Sequence, residues 1–115
     1  MKNWKEDLQA EFARAQSARS RGNEGQARVC ARRAAGIAIR EYLTRRGRRV
    51  TTASAYDLLN SLKDDPHLPP DLELVIDHLT LRVTEEFKLP VQADLVAEAR
   101  QLCRTLLPDW ETNRP

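Results

Sequence analysis

The stretch ARVCARRAAGIAIREYL, residues 27–43, decides the fold because it is apolar on two sides when it is wound as an α-helix. Positions three or four apart share one face of a helix. By this spacing the broad apolar side consists of Ala27, Cys30, Ala31, Ala34, Ile37, Ala38 and Tyr42. The opposite side carries a narrower stripe spaced by sevens, Val29, Gly36 and Leu43. A helix with two apolar sides is predicted to lie at the centre of a bundle or to meet a partner.

Composition and length indicate one small domain without β-structure. The 115 residues are 41% hydrophobic and 31% charged, with four glycines and six aromatic residues, a balance typical of exposed helix surface. A chain of this length buries a core without metal or disulfide staples. No apolar run approaches the length of a membrane span, and the start, MKNWKEDLQAEF, has no hydrophobic signal core. We therefore expect no membrane contact and a cytoplasmic location.

Capping residues and helix breakers divide the chain into five predicted helices. The first, residues 4–21, is capped by Asn3 and stopped by Gly22, and the second runs from the cap Asn23 to Gly47. The link between them is so short that the two form an antiparallel hairpin. The remaining three helices begin at Thr51 or Thr52, at Pro70 or Asp71, and near Val91. The predicted fold is all-α: a single five-helix bundle over residues 1–108, built on this hairpin, with a flexible tail at residues 109–115.

Charge is distributed unevenly along the chain. Residues 1–50 contain 13 lysines and arginines against 5 acidic residues, a net of +8, whereas residues 51–115 contain 6 against 12, a net of −6. This asymmetry predicts either an acidic partner for the first half or neutralisation of one half by the other, within one domain or a dimer. The second interpretation is favoured.

Gly36 is an anomaly because a glycine inside a helix costs about 1 kcal/mol relative to alanine. It lets another helix approach closely, or it leaves a hollow in which neighbouring guanidiniums bind a phosphate, or it lies on a solvated face without a specific role. The first interpretation predicts an interface between two copies through apolar residues on the second and fourth helices, Val29, Gly36, Leu43, Leu74 and Leu81. The second, together with the run RRGRR, predicts an anion or nucleic-acid site at Arg32, Arg33, Arg40, Arg45, Arg46, Arg48 and Arg49.

The residues that carry chemistry in other proteins form no catalytic or metal-binding pattern here. Cys30 and Cys103 fall on apolar faces of separate helices and are predicted to be buried thiols. His67 is expected to be exposed in a loop, and His78 to pair with Arg82. Glu41 is expected to pair with Arg82 or Arg100. The sequence therefore predicts no catalytic residue, no metal and no cofactor.

The order of these segments resembles the HEPN domain (higher eukaryotes and prokaryotes nucleotide-binding). The matching segments are GNEGQARVCARRAAGIAIREYL, the polar capped third helix, LRVTEEFKLP and ADLVAEARQLCRTLL. The resemblance implies an α-helical bundle on two long antiparallel helices and a protein that is usually paired. Many members are ribonucleases or toxin partners with an arginine followed by a histidine after four to six residues. That motif is absent here: the required positions hold Asp71, Leu72 and Glu73 before His78, Asn60, Ser61 and Leu62 before His67, and Phe87, Lys88 and Leu89 after Arg82.

The function predicted from the sequence is a non-catalytic HEPN-like binding or accessory module. It is expected to be a homodimer with nucleotide or nucleic-acid contact through its arginine-rich face, and a protein partner is a further expectation. Two alternatives stay open. One is a ribonuclease or nucleotidyltransferase-associated component of a toxin–antitoxin pair, and the other is a tetratricopeptide-like adaptor suggested by the GNEGQA turn.

Overall fold

The computed structural model describes residues 3–81 and 93–111, and these contain five α-helices and no strand. The helices are α1 (Trp4–Ser20), α2 (Glu24–Arg45), α3 (Ala55–Lys63), α4 (Pro70–Thr80) and α5 (Leu95–Leu106). α1, α3 and α5 all pack against α2, and α4 packs against α3 and α5. The predicted all-α bundle is confirmed, and its central helix is the one with two apolar sides.

The α1–α2 hairpin forms as its capping residues predict. The side chain of Asn3 accepts a hydrogen bond from the Lys5 amide, and the side chain of Asn23 accepts one from the Gln26 amide. Each helix then ends at a glycine with positive φ, Gly22 at +75° and Gly47 at +73°. Beyond each glycine the next amide bonds back into the last helical turn, as in a Schellman motif. Both turns therefore hold their flanking residues in a defined backbone conformation.

The start of α3 differs from the prediction. Ser54, rather than Thr51 or Thr52, caps this helix, because its hydroxyl accepts a hydrogen bond from the Asp57 amide. The Thr52 hydroxyl instead donates to the Asp57 carboxylate and accepts from the Ser54 amide. Ser54 therefore caps the helix, and Thr52 supports it through hydrogen bonds to Ser54 and Asp57. The start predicted for the last helix, at Val91, lies outside the described residues. In the described part of the chain, Asp94 is the N-cap of α5, which begins at Leu95.

Both apolar sides of α2 contribute to the core, although Val29, Ile37 and Tyr42 are only half-buried. The broad side supplies fully buried alanines and Cys30, and the narrow side supplies Gly36 and Leu43, the latter 6% exposed. Cys30 and Cys103 are free and buried, as predicted. Burial raises the pKa of the Cys103 thiol to about 12, so this group is a packing residue rather than a nucleophile.

The segment after α5 corrects the prediction of a flexible tail from residue 109. Trp110 is only 3% exposed and stacks on Phe12 of α1, with ring centroids 5.4 Å apart. Asp109 accepts two hydrogen bonds from Arg45, at 3.0 and 3.1 Å. Pro108 was expected to end the fifth helix and begin the tail, but the chain after it packs back on α1 and buries the indole of Trp110. Residues 112–115 of the predicted tail lie outside the described residues.

Ion pairs join the basic first half of the chain to its acidic second half. Arg19 of α1 pairs with Asp94 at 3.0 Å, and Arg45 and Lys5 both pair with Asp109 at 3.0 and 3.9 Å. Neutralisation of one half by the other, the favoured interpretation of the charge asymmetry, therefore occurs within the chain at these positions. Each pair is partly exposed, so each stabilises the fold by about 1 kcal/mol or less.

Asp65 is a buried carboxylate in the α3–α4 loop, and it predicts a pH dependence of stability. Its Oδ1 accepts from the His67 amide at 2.8 Å and its Oδ2 from the Tyr42 hydroxyl at 3.0 Å. These two hydrogen bonds hold the pKa of Asp65 below its ordinary value, and the His67 amide is the larger cause.

A carboxylate with a lowered folded-state pKa stabilises the fold above its unfolded pKa, and this contribution is lost as the pH falls through the folded pKa. We expect Asp65→Asn to lower the free energy of unfolding at pH 7, with the difference from wild type shrinking on acidification from about pH 5. Urea unfolding at a series of pH values measures this. A difference that is constant down to pH 2 would contradict the assignment.

Candidate functional site

The seven arginines named from the sequence do not form one site. Arg32 is a structural residue: its Nε donates to the Leu79 carbonyl at 2.8 Å and its Nη2 to the Leu81 carbonyl at 2.9 Å. It therefore caps the carbonyl end of α4. Burial lowers the pKa of its guanidinium, with repulsion from Arg28 as a smaller cause. Because two of its donors bind backbone carbonyls and the residue is half-buried, we take Arg32 as part of the fold rather than of the anion site.

Arg45 is also committed to the fold. It binds Asp109 through both terminal nitrogens, and its Nε donates to Glu41 at 2.8 Å. Its guanidinium lies 5.1 Å from the ring centroid of Trp4. These hydrogen bonds raise the pKa of Arg45, the bond with Asp109 more than that with Glu41. Glu41 thus pairs with its own helix and not with Arg100, which lies over the Phe12 ring; Arg82 is outside the described residues.

Three of the predicted arginines form an exposed arginine corner after α2: Arg46, Arg48 and Arg49. The turn at Gly47 fixes this corner, since the Arg48 amide bonds to the Leu43 carbonyl at 2.9 Å. Arg46 lies over the ring of Tyr42, 5.2 Å from its centroid. Within residues 3–81 and 93–111, none of the three makes an ion pair with a carboxylate.

The remaining two, Arg33 and Arg40, line a groove on the outer face of α2 between α1 and α3. This α2 groove is a cavity of about 400 Å³ whose apolar part is formed by Gly36, Ile37 and Leu58. Arg40 also donates from Nη2 to the Thr52 carbonyl at 2.6 Å. Glu11 of α1 lines the groove too, and its carboxylate pairs with Arg14 at 2.9 Å. For Arg33 and Arg40 the described part of the chain offers no carboxylate within 4 Å.

Gly36, one of the residues of the predicted interface between two copies, packs against α3 of the same chain. A Cβ added at Gly36 would lie 3.1 Å from the Ala55 Cβ and 3.3 Å from the Ala55 Cα. The helix that needs this glycine is therefore α3 of the same chain. Leu43 is buried in the core as well, and Val29 is half-buried. The chain itself covers Gly36 with α3 and buries Leu43 in the core, and an interface between two copies stays a prediction.

The other two predicted interface residues stay at the surface. Leu74 of α4 is 60% exposed, and Leu81, directly after α4, is half-buried. Around Leu74, the carboxylates of Asp71 and Asp77 lie three residues to either side and share its face of the helix. This surface is therefore an exposed leucine flanked by two acidic residues.

The two histidines are not combined with an arginine in the described residues. Nδ1 of His78 lies 2.6 Å from Glu98 Oε1, and this contact joins α4 to α5. Arg82, the partner predicted for His78, lies outside the described residues. His67 is exposed, as predicted. A search of the described residues finds no group of three or more His, Cys, Asp or Glu side chains that could hold a metal ion.

Comparisons with protein-family models, with curated protein sequences and with solved structures give no match to this chain. Among the described residues, no helix combines the length and the apolar character needed to cross a membrane.

Sequence reasoning missed the roles of Arg32 and Trp110. A tryptophan in an otherwise polar terminal segment was the available signal for the docked end, because an indole is rarely left in solvent. Arg32 offered no comparable signal, since its two carbonyl partners come from a helix 47 and 49 residues away in sequence.

Proposed function

We propose that this protein is a non-catalytic, HEPN-like helical binding module that self-associates and contacts nucleic-acid phosphates through its arginine corner. One observation supports the phosphate contact above the others. Arg14, Arg19, Arg45 and Arg104 are each paired with a carboxylate, whereas Arg46, Arg48 and Arg49 are exposed without one in the described residues. Unpaired guanidiniums clustered on a rigid turn are the groups that phosphates bind.

The surroundings of the corner favour backbone contact over base recognition. Tyr42, the aromatic ring beside it, is half-buried beneath Arg46 and donates its hydroxyl hydrogen to Asp65. It is therefore not presented for stacking on a base, which single-strand readers use. Contacts to phosphates alone are independent of sequence and depend strongly on salt.

The self-associating part of the proposal is supported by Leu74. A leucine that is 60% exposed between two carboxylates gains apolar burial when a partner covers it. We also propose a cytoplasmic location, because the two free thiols, Cys30 and Cys103, suit a reducing compartment.

A salt titration tests the phosphate contact. Three guanidinium–phosphate contacts predict that log K falls against log salt with a slope of about −2.7, or about 40-fold between 50 and 200 mM salt. The Arg48→Ala/Arg49→Ala variant should bind duplex DNA more weakly and show a slope of about −0.9. Fluorescence anisotropy of a labelled duplex measures both.

The matched control is Arg14→Ala/Arg21→Ala, which removes one arginine from α1 and one from its C-cap and should leave the slope unchanged. Absence of binding at low salt would remove nucleic acid from the proposal. Equal slopes for wild type and Arg48→Ala/Arg49→Ala would place the contact on another surface.

A further inference from the structure

We propose that the α2 groove binds helix α4 of a second copy of this chain, with Leu74 seated in the groove and the flanking carboxylates at its arginines. This inference rests on the self-association in the proposed function and names its surfaces. It uses residues separate from the arginine corner, so the two can be tested independently.

The receiving surface is cationic at both ends and apolar between them. Arg33 and Arg40 are seven residues apart on α2, which separates them by about 10 Å along the helix axis. Between them lie Gly36, against which Ala55 of α3 packs, and the half-buried Ile37. Leu58 of α3 forms the adjoining wall. The cavity of about 400 Å³ is large enough for a leucine side chain.

The carboxylate of Glu11 on the α1 wall of the groove does not prevent an acidic helix from binding. Glu11 on the α1 wall is 7% exposed, and its charge is matched by Arg14 at 2.9 Å. Arg40 spends one nitrogen on the Thr52 carbonyl and keeps its other donors. The groove therefore presents a net positive, partly apolar surface.

The inserted surface has the complementary pattern at the same spacing. Asp71, Leu74 and Asp77 follow one another at three-residue intervals, so they lie on one face of α4. The two carboxylates are about 9 Å apart along the helix axis, close to the spacing of the two arginines. Asp77 pairs with Lys63 at 2.6 Å, yet its side chain is 55% exposed and leaves one oxygen accessible.

A second copy is the occupant that the chain itself provides. Within one chain, α4 packs into the core through Leu72, Val75, Ile76 and Leu79. Leu74 and the neighbouring carboxylates of Asp71 and Asp77 therefore face outwards. Each copy carries one groove and one such helix. Two reciprocal contacts close a symmetric dimer and leave no edge for further growth.

Reversing the charges of the groove or of α4 should weaken this dimer and leave a dimer formed through another surface unchanged. Sedimentation equilibrium should give a dimer for wild type, whereas Arg33→Glu, Asp71→Arg and Asp77→Arg each place like charges together. Each should raise the dissociation constant by more than about tenfold. Leu74→Ser, a polar change at an exposed site, should also weaken the dimer, and circular dichroism shows whether each variant keeps its helices.

Mixing the variants tests the pairing itself. Consider a mixed dimer of an Arg33→Glu chain and a chain whose aspartate facing position 33 is replaced by arginine. In one of its two contacts the new glutamate meets the new arginine, and in the other contact all residues are wild type. An equimolar mixture of Arg33→Glu with Asp71→Arg or with Asp77→Arg should therefore restore the dimer. The mixture that does so shows in which direction α4 lies in the groove.

The control mixture, Arg21→Glu with Glu6→Arg, carries the same charge changes in the first turn and at the C-cap of α1 and should dimerise as wild type does. A wild-type monomer would overturn the self-association in the proposed function together with this inference. A wild-type dimer that the reversals and Leu74→Ser leave unchanged, or that neither mixture restores, would overturn this inference alone.

Discussion

Replacing Trp110 with alanine is expected to lower the free energy of unfolding by about 3–5 kcal/mol, the range for a large buried aromatic side chain. The indole is 3% exposed, stacks on Phe12 and closes the end of the core beside Leu107. Its loss also frees the segment that positions Asp109 against Arg45. Urea unfolding followed by circular dichroism measures the change.

Trp110→Phe is the matched control. Trp110 Nε1 is buried without a hydrogen-bond partner in the described part of the chain. Phenylalanine keeps a ring against Phe12 and removes this unsatisfied donor, so we expect it to cost less than about 1.5 kcal/mol. If Trp110→Ala costs less than about 1 kcal/mol, residues 109–111 are a solvated tail after all.

Gly36→Leu is the second large effect, with an expected loss of about 2–3 kcal/mol in the free energy of unfolding. The new side chain would begin 3.1 Å from the Ala55 Cβ and 3.3 Å from its Cα. A backbone atom cannot rotate away as a side-chain end can, so α3 must shift. The gain of about 1 kcal/mol from removing a helical glycine offsets only part of this cost.

Gly25→Leu supplies the comparison within the same helix. A Cβ at Gly25 meets only the Asn23 side chain, at 3.9 Å. This variant should therefore be neutral or stabilising. Thermal unfolding of both variants separates helix propensity from helix packing, and equal melting temperatures would show that α3 does not press on Gly36.

The fold was predictable because its signals are local. Asn3, Asn23, Gly22 and Gly47 specify the hairpin through hydrogen bonds to their immediate neighbours, and the two apolar sides of α2 predict its central place. Periodicity also showed that something must cover the stripe at Gly36. It could not show that α3 of the same chain covers it, because that depends on the path of the loop between Gly47 and Ala55.

The candidate site was predictable only as a set of arginines. Which arginines belong to the fold and which are free to bind an anion depends on partners far away in sequence. These partners are the Leu79 and Leu81 carbonyls for Arg32, and Asp109 for Arg45. Arg48 and Arg49 were recognisable from the RRGRR run itself. The groove at Arg33 and Arg40 exists because α1 and α3 both pack on α2 and leave its outer face open, which no single segment encodes.

The contact between Leu74 of one copy and the α2 groove of another is the central claim, and engineered cysteines test it most directly. An equimolar mixture of Ile37→Cys and Leu74→Cys chains, oxidised under mild conditions, should yield a disulfide-linked species of twice the 13.2 kDa chain mass. The native thiols do not interfere, because Cys30 and Cys103 are buried. A mixture that remains at the mass of one chain, under conditions where wild type is dimeric, would contradict the account.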